Sequence, residues 1–503
     1  MRLNSTSLKI TGYIDERKIH MLSVEEIKKY IDNDAASRKK QLAKTGQRYY
    51  EGEHDIRDYR IMYLNKDGHL KEDKVKSNIK ICHPFFTELV DQEAQYMLSG
   101  EDGFVRSDIP ELQEQLDAYF NDSEAFMAEL YEVITGCVAK GFEYVYAYKN
   151  KDGKTAFQCA DSLGVVEVKA KETDDGCEYV IFHYVDRIDK DNKKITRIQV
   201  WDDKQTWFYV QEENGSIQPD DTEKVNPRPH ILYSEGDKAD TYFEGFGFIP
   251  FFRLDNCRKQ FSGLKPIKAL IDDYDLMACG LSNNIQDTSE AYIAVKGFKG
   301  NDLDELAMNF RAKHMIGVGE NGDVDIKTVD IPYEARQAKL DLDEKNIYRF
   351  GMGFNAAQHG DGNITNVVIK SRYALLDLKC NKLEIRLKQF MRKLLKIVLD
   401  EINAEQGTDY QQKDVYFKFE REVITNESDN AQIALNEAQK RQVEVNILLS
   451  LAANLGNDLM MELIAEQLDL DWEDIKGRLP NPEEDDLYAM EEPPIIGEGG
   501  VSE

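Results

Sequence analysis

The chain has 503 residues, of which 41% are hydrophobic, and carries a formal net charge of −30 with a pI near 4.8. This length is too great for one hydrophobic core and predicts about two to four domains. The acidic balance argues against tight, passive binding of nucleic acid, although it leaves open a surface along which a polyanion slides.

The N-terminal part is predicted to be helical. The capping box Ser23-Val-Glu-Glu26 opens a helix that we expect to run to about Gly46. Pro84 begins a second helix that ends at Gly100. Two further helices are expected near Glu111–Phe120 and Ala125–Ala139.

The composition of the sequence then changes to segments rich in Val, Ile, Tyr, Phe and Trp, which are separated by polar turns. Five strands are predicted, at Glu143–Tyr148, Val165–Val168, Glu178–Val185, Ile195–Trp201 and Thr206–Gln211. The pattern is typical of an antiparallel meander. Helices followed by strands indicate one α+β domain to about Pro250.

Two predicted helices, Pro266–Thr288 and Tyr333–Phe350, enclose a small insert. Within the insert we expect a strand at Ala291–Val295, a helix at Asp302–Ala312, and a hairpin of Met315–Val318 with Val324–Ile331 around Asn321-Gly322. This order predicts a pair of helices that carries a compact module at one end.

A glycine-rich segment, Gly351 to Asn363, precedes forty residues, Thr365–Ala404, that contain no Gly or Pro. A helix of this length would span about 60 Å. Its apolar residues recur at three- and four-residue steps, which predicts a stripe to bury. Nine basic residues against four acidic ones cover its other faces, so we expect the helix to belong to an assembly.

The C-terminal part is predicted to hold one strand, Val415–Phe419, and several helices between Asp429 and Gly477. The last residues, Asn481–Glu503, contain eight acidic residues and no Lys or Arg. Such a composition predicts a disordered tail.

Signals of chemistry are weak. Gly351-Met-Gly353-Phe-Asn-Ala356 matches a dinucleotide fingerprint but follows a helix where that motif needs a strand. Asp189-Lys-Asp191 lacks the later residues of a calcium loop. Seven scattered cysteines argue against a zinc site or a disulfide framework and fit a reducing compartment. We find neither a histidine metal motif nor a Walker loop, nor an apolar run long enough to span a membrane.

Several stretches together resemble the portal, or head-to-tail connector, proteins of long-tailed bacteriophages of Gram-positive hosts. They are Arg48–Ile56, Asn78–Asp91 with Tyr96–Gly100, Asn226–His230, Leu270–Asp275 with Ser282-Asn283, and Tyr373–Asn381. Their order and spacing, from about residue 40 to 420, carry the resemblance.

The resemblance implies an α+β portal-type fold. Its parts would be a wing (1–255), two stem helices (256–288 and 332–350) around a small α/β clip (289–331), a tunnel loop (351–363), a long wing-spanning helix with a return strand (364–428), a helical crown (429–480) and the acidic tail (481–503). Many relatives carry Ser-Gly near the start of the long helix, where this chain has Thr365-Asn366.

The resemblance also implies a function without catalysis, cofactor or metal. Copies would form a ring, typically of twelve subunits, around a channel for double-stranded DNA at one capsid vertex, for genome packaging and ejection and for head–tail joining. Implied partners are a terminase motor, capsid and scaffolding proteins, and a head-completion or adaptor protein, in the virion and, during assembly, the host cytoplasm.

Two sets of site residues follow. The tunnel loop would bring Gly351, Gly353, Asn355, Gln358, His359, Gly360, Asp361, Gly362 and Asn363 to the DNA, and the long helix would offer Lys382, Arg386, Phe390, Arg392 and Lys393 to a neighbouring subunit. The alternative is a metal-dependent DNA-processing enzyme of the phage head, with Asp323, Asp325 and Asp330 as candidate ligands.

Overall fold

A computed structural model describes residues 21–450 and the short pieces 462–463 and 465. Within 21–450 it omits residues 66, 75, 101–102, 172–175, 189–192, 214, 235–240, 288–291, 299–317, 328–332, 356–365 and 422–426. The chain divides into two compact units, one of Met1–His359 with Arg372–Glu422 and one of Gly360–Ser371 with Val423–Glu503. The predicted tail and the predicted helix Asp302–Ala312 lie outside the described residues.

Two helices, α1 (Val24–Ala36) and α2 (Arg38–Tyr50), replace the single predicted helix to Gly46. The capping box of Ser23 and Glu26 is confirmed. Ser37 interrupts the helix with extended backbone angles, because its amide closes α1 on the carbonyl of Asp34 while its hydroxyl accepts from the Lys40 amide. One serine thus caps both helices.

A 3₁₀ turn (Asp55–Asp58) and a short hairpin, β1 (Met62–Leu64) with β2 (Leu70–Glu72), precede α3 (Phe85–Met97). Helix α3 therefore ends before the predicted Gly100. Strand β3 (Val105–Arg106), α4 (Pro110–Leu116), a π-helical turn (Asp117–Asn121) and α5 (Glu124–Lys140) follow. Gly141 ends α5 with φ +99°, a conformation that favours glycine.

The predicted single meander is wrong, because its strands belong to two sheets. Strands β4 (Phe142–Lys149), β5 (Thr155–Ala160) and β14 (Phe251–Asp255) form one, in the order β14-β4-β5. Strands β6 (Val165–Val168), β7 (Tyr179–Ile188), β8 (Lys194–Trp201) and β9 (Gln205–Glu212) form the antiparallel second sheet. The sequence does not predict β5, since its Ala, Gln and Cys residues give it no β signature.

Short strands complete this region. Strands β10 (Gln218–Pro219) and β11 (Arg228–Pro229) both pair with β9, and β12 (Ile231–Ser234) pairs with β13 (Thr241–Glu244). Helix α1 covers the second sheet through Ile27, which packs with Ile181, Ile198 and Trp207. Ala43 of α2 joins a second cluster around Phe142 and Trp201. Helices α1 and α2 therefore pack on the sheets through two hydrophobic clusters, as expected of an α+β fold.

Helix α6 (Lys268–Asp287) is followed by β15 (Tyr292–Phe298) and β16 (Val318–Lys327), which form an antiparallel pair. The predicted turn at Asn321-Gly322 is wrong, because both residues lie inside β16. The register shifts there, from Lys296 opposite Asp323 to Phe298 opposite Val318. A glycine that signals a turn can equally mark such an irregularity within a strand.

Helix α7 (Tyr333–Gly351) packs against α6, as predicted for two helices that flank an insert. The long helix α8 (Asn366–Gln406) has 41 residues and confirms the predicted forty-residue helix. Strand β17 (Tyr416–Phe417) then pairs with β3, which returns the chain to the N-terminal part. Helix α9 (Glu427–Ser450) is described in the second unit.

Candidate functional site

The beginning of the predicted tunnel loop is packed against α3. Gly351 is the last residue of α7, and a Cβ atom added to its backbone would lie 2.7 Å from Leu89 Cδ1. At Gly353 such a Cβ would overlap Leu89 Cδ2. These glycines permit close approach of two chain segments. The expectation that they serve a projecting loop is therefore wrong for Gly351 and Gly353.

The next residues are held by hydrogen bonds. The amide of Phe354 donates to Gln92 Oε1 at 3.0 Å, and Gln92 Nε2 donates to the Phe354 carbonyl at 2.8 Å. Asn355 is buried and donates from Nδ2 to Glu344 Oε1 at 2.8 Å. Asn355 thus belongs to a packed base, which corrects its predicted place in the projecting loop, because its amide is already used within the chain.

An aromatic contact joins this base to the long helix. The Phe354 ring stacks on Tyr373 of α8 with centroids 4.9 Å apart and planes 16° apart, and Tyr373 contacts Tyr96 at 5.5 Å. We call the segment Gly351–Asn355 with these partners the loop base. The remaining predicted tunnel residues lie outside the described residues: Gln358, His359, Gly360, Asp361, Gly362 and Asn363.

The inner face of α8 is an apolar stripe, as predicted, but Leu375 and Leu378, which the periodicity also placed on this stripe, are exposed. Its buried members are Leu376, Cys380, Leu383, Leu387, Phe390, Met391, Leu394, Leu395, Val398 and Ile402. Phe390 is only 2% exposed, so its assignment to a subunit interface is wrong. It is needed in the core of its own chain. The sequence periodicity placed Phe390 on the buried stripe, and this should have excluded it from the predicted interface residues.

The outer face of α8 carries exposed apolar side chains that the sequence did not single out as interface residues. Leu378 is 50% exposed and Ile385 is 64% exposed, and Leu375 lies nearby in sequence with 41% exposure. Lys382 is exposed between them, and Arg386 is half-buried. An exposed apolar patch of this kind is a surface suited to protein contact.

Part of the positive charge of α8 is paired within its own chain. Lys379 pairs with Glu93 at 2.7 Å and Lys388 with Glu384 at 2.7 Å. Arg392 donates to the carbonyl of Gln412 at 3.1 Å and lies over the Phe417 ring, so it ties the return segment to the helix. Two of the nine basic side chains of α8 are thus held in ion pairs of this chain, and Arg392 is held by contacts with the return segment.

The C-terminal end of the first unit is clamped on α8 by one buried arginine side chain. Arg421 donates from Nη1 to Asp377 Oδ1 and to Asn381 Oδ1, both at 2.8 Å, and its Nη2 pairs with Glu384. Lys393 lines a cavity of about 830 Å³ whose wall includes Leu22 and Arg253. Lys393 is thus exposed toward a concave surface of the first unit.

A buried polar cluster joins α6 to the segment before α3. Asp275 is fully buried and lies between two histidines, with Oδ2 2.6 Å from Nδ1 of His54 and Oδ1 2.7 Å from Nδ1 of His83. Burial alone would raise the pKa of Asp275, but the hydrogen bonds from both histidines hold it below its ordinary value. His54 also stacks on Tyr49 at 4.5 Å.

This cluster assembles residues from three of the stretches that carry the family resemblance, namely those that contain His54, His83 and Asp275. No local pattern in the sequence joins them, since Asp275 is 221 positions from His54. The signal that could have identified these three residues is that each lies in a stretch that resembles portal proteins.

Two of the three candidate carboxylate ligands lie on one strand. Asp323 and Asp325 lie on β16 opposite Lys296 and Ala294, while Asp330 lies outside the described part. Throughout the described ranges no group of three or more His, Cys, Asp or Glu side chains could hold a metal ion. In the same ranges no helix is both long and apolar enough to cross a membrane.

Comparison with known proteins identifies the class as that of phage portal proteins. A family model described as "Phage portal protein, SPP1 Gp6-like" matches residues 27–471. The chain therefore belongs to this SPP1-type family of portal proteins, and its α+β fold is the fold of that family.

Two curated relatives bear the same name. The portal protein of Bacillus phage SPP1 is 25% identical over 390 residues, which cover 77% of this chain and 75% of the relative. The portal protein of Clostridium phage phiCD119 (strain Clostridium difficile/United States/Govind/2006) is 25% identical over 427 residues, 82% of this chain and 89% of the relative.

A more distant likeness is found among solved structures. A chain titled "Neck of native GTA particle computed with C12 symmetry" shares 11% identity, with 76% of this chain and 89% of that chain covered and a TM-score of 0.35. A likeness at this level carries no argument about the present chain.

Proposed function

We propose that copies of this portal protein assemble head-to-tail into a closed ring, of twelve subunits, around a channel for double-stranded DNA at one capsid vertex. The observation that carries the proposal is the family match over residues 27–471. The outer face of α8 supports it, because the apolar Leu378 and Ile385 flank the exposed Lys382 and would be covered by a neighbour. Different surfaces that meet around a closed rotation produce a ring.

Within this ring the proposed divisions are the wing, stem, clip and crown at the boundaries given above, with the tunnel loop reduced to residues 356–363. The packed loop base supports the placement of the tunnel loop in residues 356–363, since it fixes where that segment leaves the core. Its ionisable side chains are His359 and Asp361 alone, which suits contact with DNA that does not hold phosphates tightly.

The proposal assigns no catalytic step to the chain. A terminase motor would supply the energy that moves DNA, and capsid, scaffolding and head-completion proteins would bind the outer surfaces of the ring. Assembly would take place in the host cytoplasm. The net charge of −30 supports a passive channel, because an acidic wall disfavours long-lived contacts with a polyanion.

Negative-stain microscopy and mass photometry of the purified chain test the proposal. Twelve copies of the 57.9 kDa chain give about 695 kDa, and the images should show rings with a central hole. A chain that stays monomeric at micromolar concentration, or that forms open filaments, would contradict ring assembly.

A further inference from the structure

Residues 77–83 run antiparallel along α6 and are bound to it through alternate backbone amides. Four hydrogen bonds join Ser77 N to Asp287 Oδ1 at 3.1 Å, Ile79 N to Asn283 Oδ1 at 2.6 Å, Ile81 N to Cys279 Sγ at 3.1 Å and His83 N to Asp275 Oδ1 at 3.0 Å. Every second amide of the segment thus meets every fourth side chain of the helix.

The match follows from the dimensions of the two structures. Two residues of an extended chain advance about 6.6 Å, and four residues of an α-helix advance about 6.0 Å. The segment is therefore extended, and the helix takes the place of a neighbouring strand along one of its edges. The sulfur of Cys279 also donates toward the Ile81 carbonyl at 3.5 Å, on the same edge.

The opposite edge of this segment is open. In an extended chain the amides of Asn78, Lys80 and Cys82 point away from α6. Among the described residues these three amides have no hydrogen-bond partner, and no strand pairs with the segment. The three residues are partly exposed, and the Ile81 side chain is 45% exposed. We call residues 78–82 the open edge.

A second open edge lies in the hairpin β1–β2. Asp73 N donates to the Ile61 carbonyl at 2.8 Å and Asn65 N to the His69 carbonyl at 2.9 Å, which fixes the hydrogen-bonded pairs of the hairpin. Hydrogen-bonded and non-hydrogen-bonded pairs alternate along an antiparallel hairpin, so Met62 and Glu72 form a non-hydrogen-bonded pair. The amide and carbonyl groups of Met62 therefore face outward.

The hairpin also lacks apolar cover. All six residues of its two strands are exposed, among them Met62, Tyr63, Leu64 and Leu70. A two-stranded hairpin is only marginally stable in water, and it gains stability from a third strand or from packing against another element. Its sequence supplies apolar side chains for such a contact.

We propose that the open edge binds the hairpin β1–β2 of a second copy of this chain, which adds to it as a strand. The inference rests on the proposed ring. Both unpaired edges belong to one chain and are similarly short, so each copy would offer one edge to each of its two neighbours. Lys76 is exposed just before the open edge, so a neighbour's Glu72, at the end of β2, would approach a cation there.

Hydrogen–deuterium exchange on the wild-type protein tests this pairing. We expect the outward amides, those of Asn78, Lys80 and Cys82 in the open edge and of Met62 in β1, to exchange slowly in the assembled protein and rapidly after dilution to monomers. Equal exchange in both states would overturn the inference while leaving the ring itself intact. A wild-type chain that never assembles would overturn the inference together with the proposed function.

A substitution gives an independent test. Lys80→Pro removes one outward amide and suits an extended segment, whereas Lys80→Ala removes the same side chain and its 2.7 Å bond to the Arg57 carbonyl but keeps the amide. Relative to Lys80→Ala, Lys80→Pro should raise the concentration for half-assembly roughly fivefold, as expected for one hydrogen bond per interface. Equal assembly of the two variants, with equal melting temperatures of the monomers, would exclude the open edge from the interface.

Discussion

The Nδ1 atom of His54 lies 2.6 Å from Oδ2 of Asp275, and both side chains are fully buried. The other carboxylate oxygen of Asp275 bonds His83, so one aspartate on α6 holds both ends of the segment from residue 54 to residue 83. This segment includes the hairpin and the open edge. Asp275 is therefore expected to fix the surface that they form.

Asp275→Asn should destabilise the protein by roughly 3 kcal/mol near neutral pH, because it breaks a buried, charge-assisted pair. The pKa of Asp275 is lowered in the folded state, so its contribution is complete above the ordinary value of 3.8 and is lost as the pH falls through the lowered value. Chemical denaturation at several pH values should show the difference between wild type and variant shrink below about pH 4.

The control for this prediction is Asp273→Asn on the same helix. Asp273 is half-exposed and pairs with Lys339 at 2.5 Å, so its loss should cost at most about 1 kcal/mol. A wild-type advantage over Asp275→Asn that stayed constant down to about pH 2 would show that the carboxylate charge does not contribute.

Gly353→Ala should destabilise the loop base by about 1–3 kcal/mol, because the added methyl group overlaps Leu89 Cδ2. Leu89→Ala alone leaves a cavity and should also be costly, but the double variant should lose less than the sum of the two, as thermal denaturation can measure. Gly280→Ala in α6 is the matched control, since among the described residues the atom nearest to its methyl group would be Arg336 Nη1 at 3.6 Å. Strict additivity at Gly353 and Leu89 would contradict the proposed contact.

Lys382→Glu and Ile385→Glu should weaken ring formation and leave the melting temperature of the monomer within a degree or two, because both side chains are exposed in the single chain. Sedimentation velocity would follow assembly. Lys413→Glu makes the same charge change at another exposed site and should assemble normally.

Arg392→Glu is the contrast to those variants. Arg392 is bonded to Gln412 and lies over Phe417 within its own chain, so we expect a loss of subunit stability of about 1–2 kcal/mol. If Arg392→Glu abolished ring formation and left the stability of the monomer unchanged, Arg392 would be an interface residue as first predicted.

Lysines at positions 358 and 361 should slow DNA packaging through phosphate contacts, with an effect that fades as salt is raised. The double variant Gln358→Lys/Asp361→Lys is compared with Gln358→Ala/Asp361→Asn, which adds no positive charge. Packaging of the lysine variant at the wild-type rate in low salt would argue against a channel position for this segment.

Truncation after Pro480 should leave the melting temperature and the ring unchanged, since Asn481–Glu503 is acidic and has no apolar stripe. Differential scanning calorimetry measures this directly. A midpoint lowered by several degrees would show that the acidic tail is docked on the folded protein.

Patterns within single elements were predictable from the sequence. The long helix, its buried stripe and the pair α6 and α7 follow from periodicity and from the positions of Gly and Pro. The break between α1 and α2 at Ser37 was not predictable in this way. A serine within a helical pattern caps a helix only where the backbone leaves the helical conformation, and the pattern does not show where that happens. The strongest turn signal in the sequence, Asn321-Gly322, lies at a register shift within β16 and not at a turn.

Relations between distant elements were not predictable. Periodicity placed Phe390 and Leu378 together on the buried stripe, but the structure was needed to show that α8 buries Phe390 and exposes Leu378. Glycine density suggested freedom at Gly351 and Gly353, whereas their role is close contact with Leu89. The pairing of Asp275 with two histidines depends on the path of the chain across more than 190 positions.

The stack of Phe354 on Tyr373 has a consequence for how this family can vary. Because the two anchors are fixed by α3 and α8, the ten residues from 356 to 365 can change in number without moving either anchor. Doubling the length of a flexible connection costs only about 0.6 kcal/mol in closure entropy. Insertions and deletions are therefore expected to be tolerated there, and under the proposed tunnel-loop assignment they would change the width of the channel without redesign of the surrounding protein.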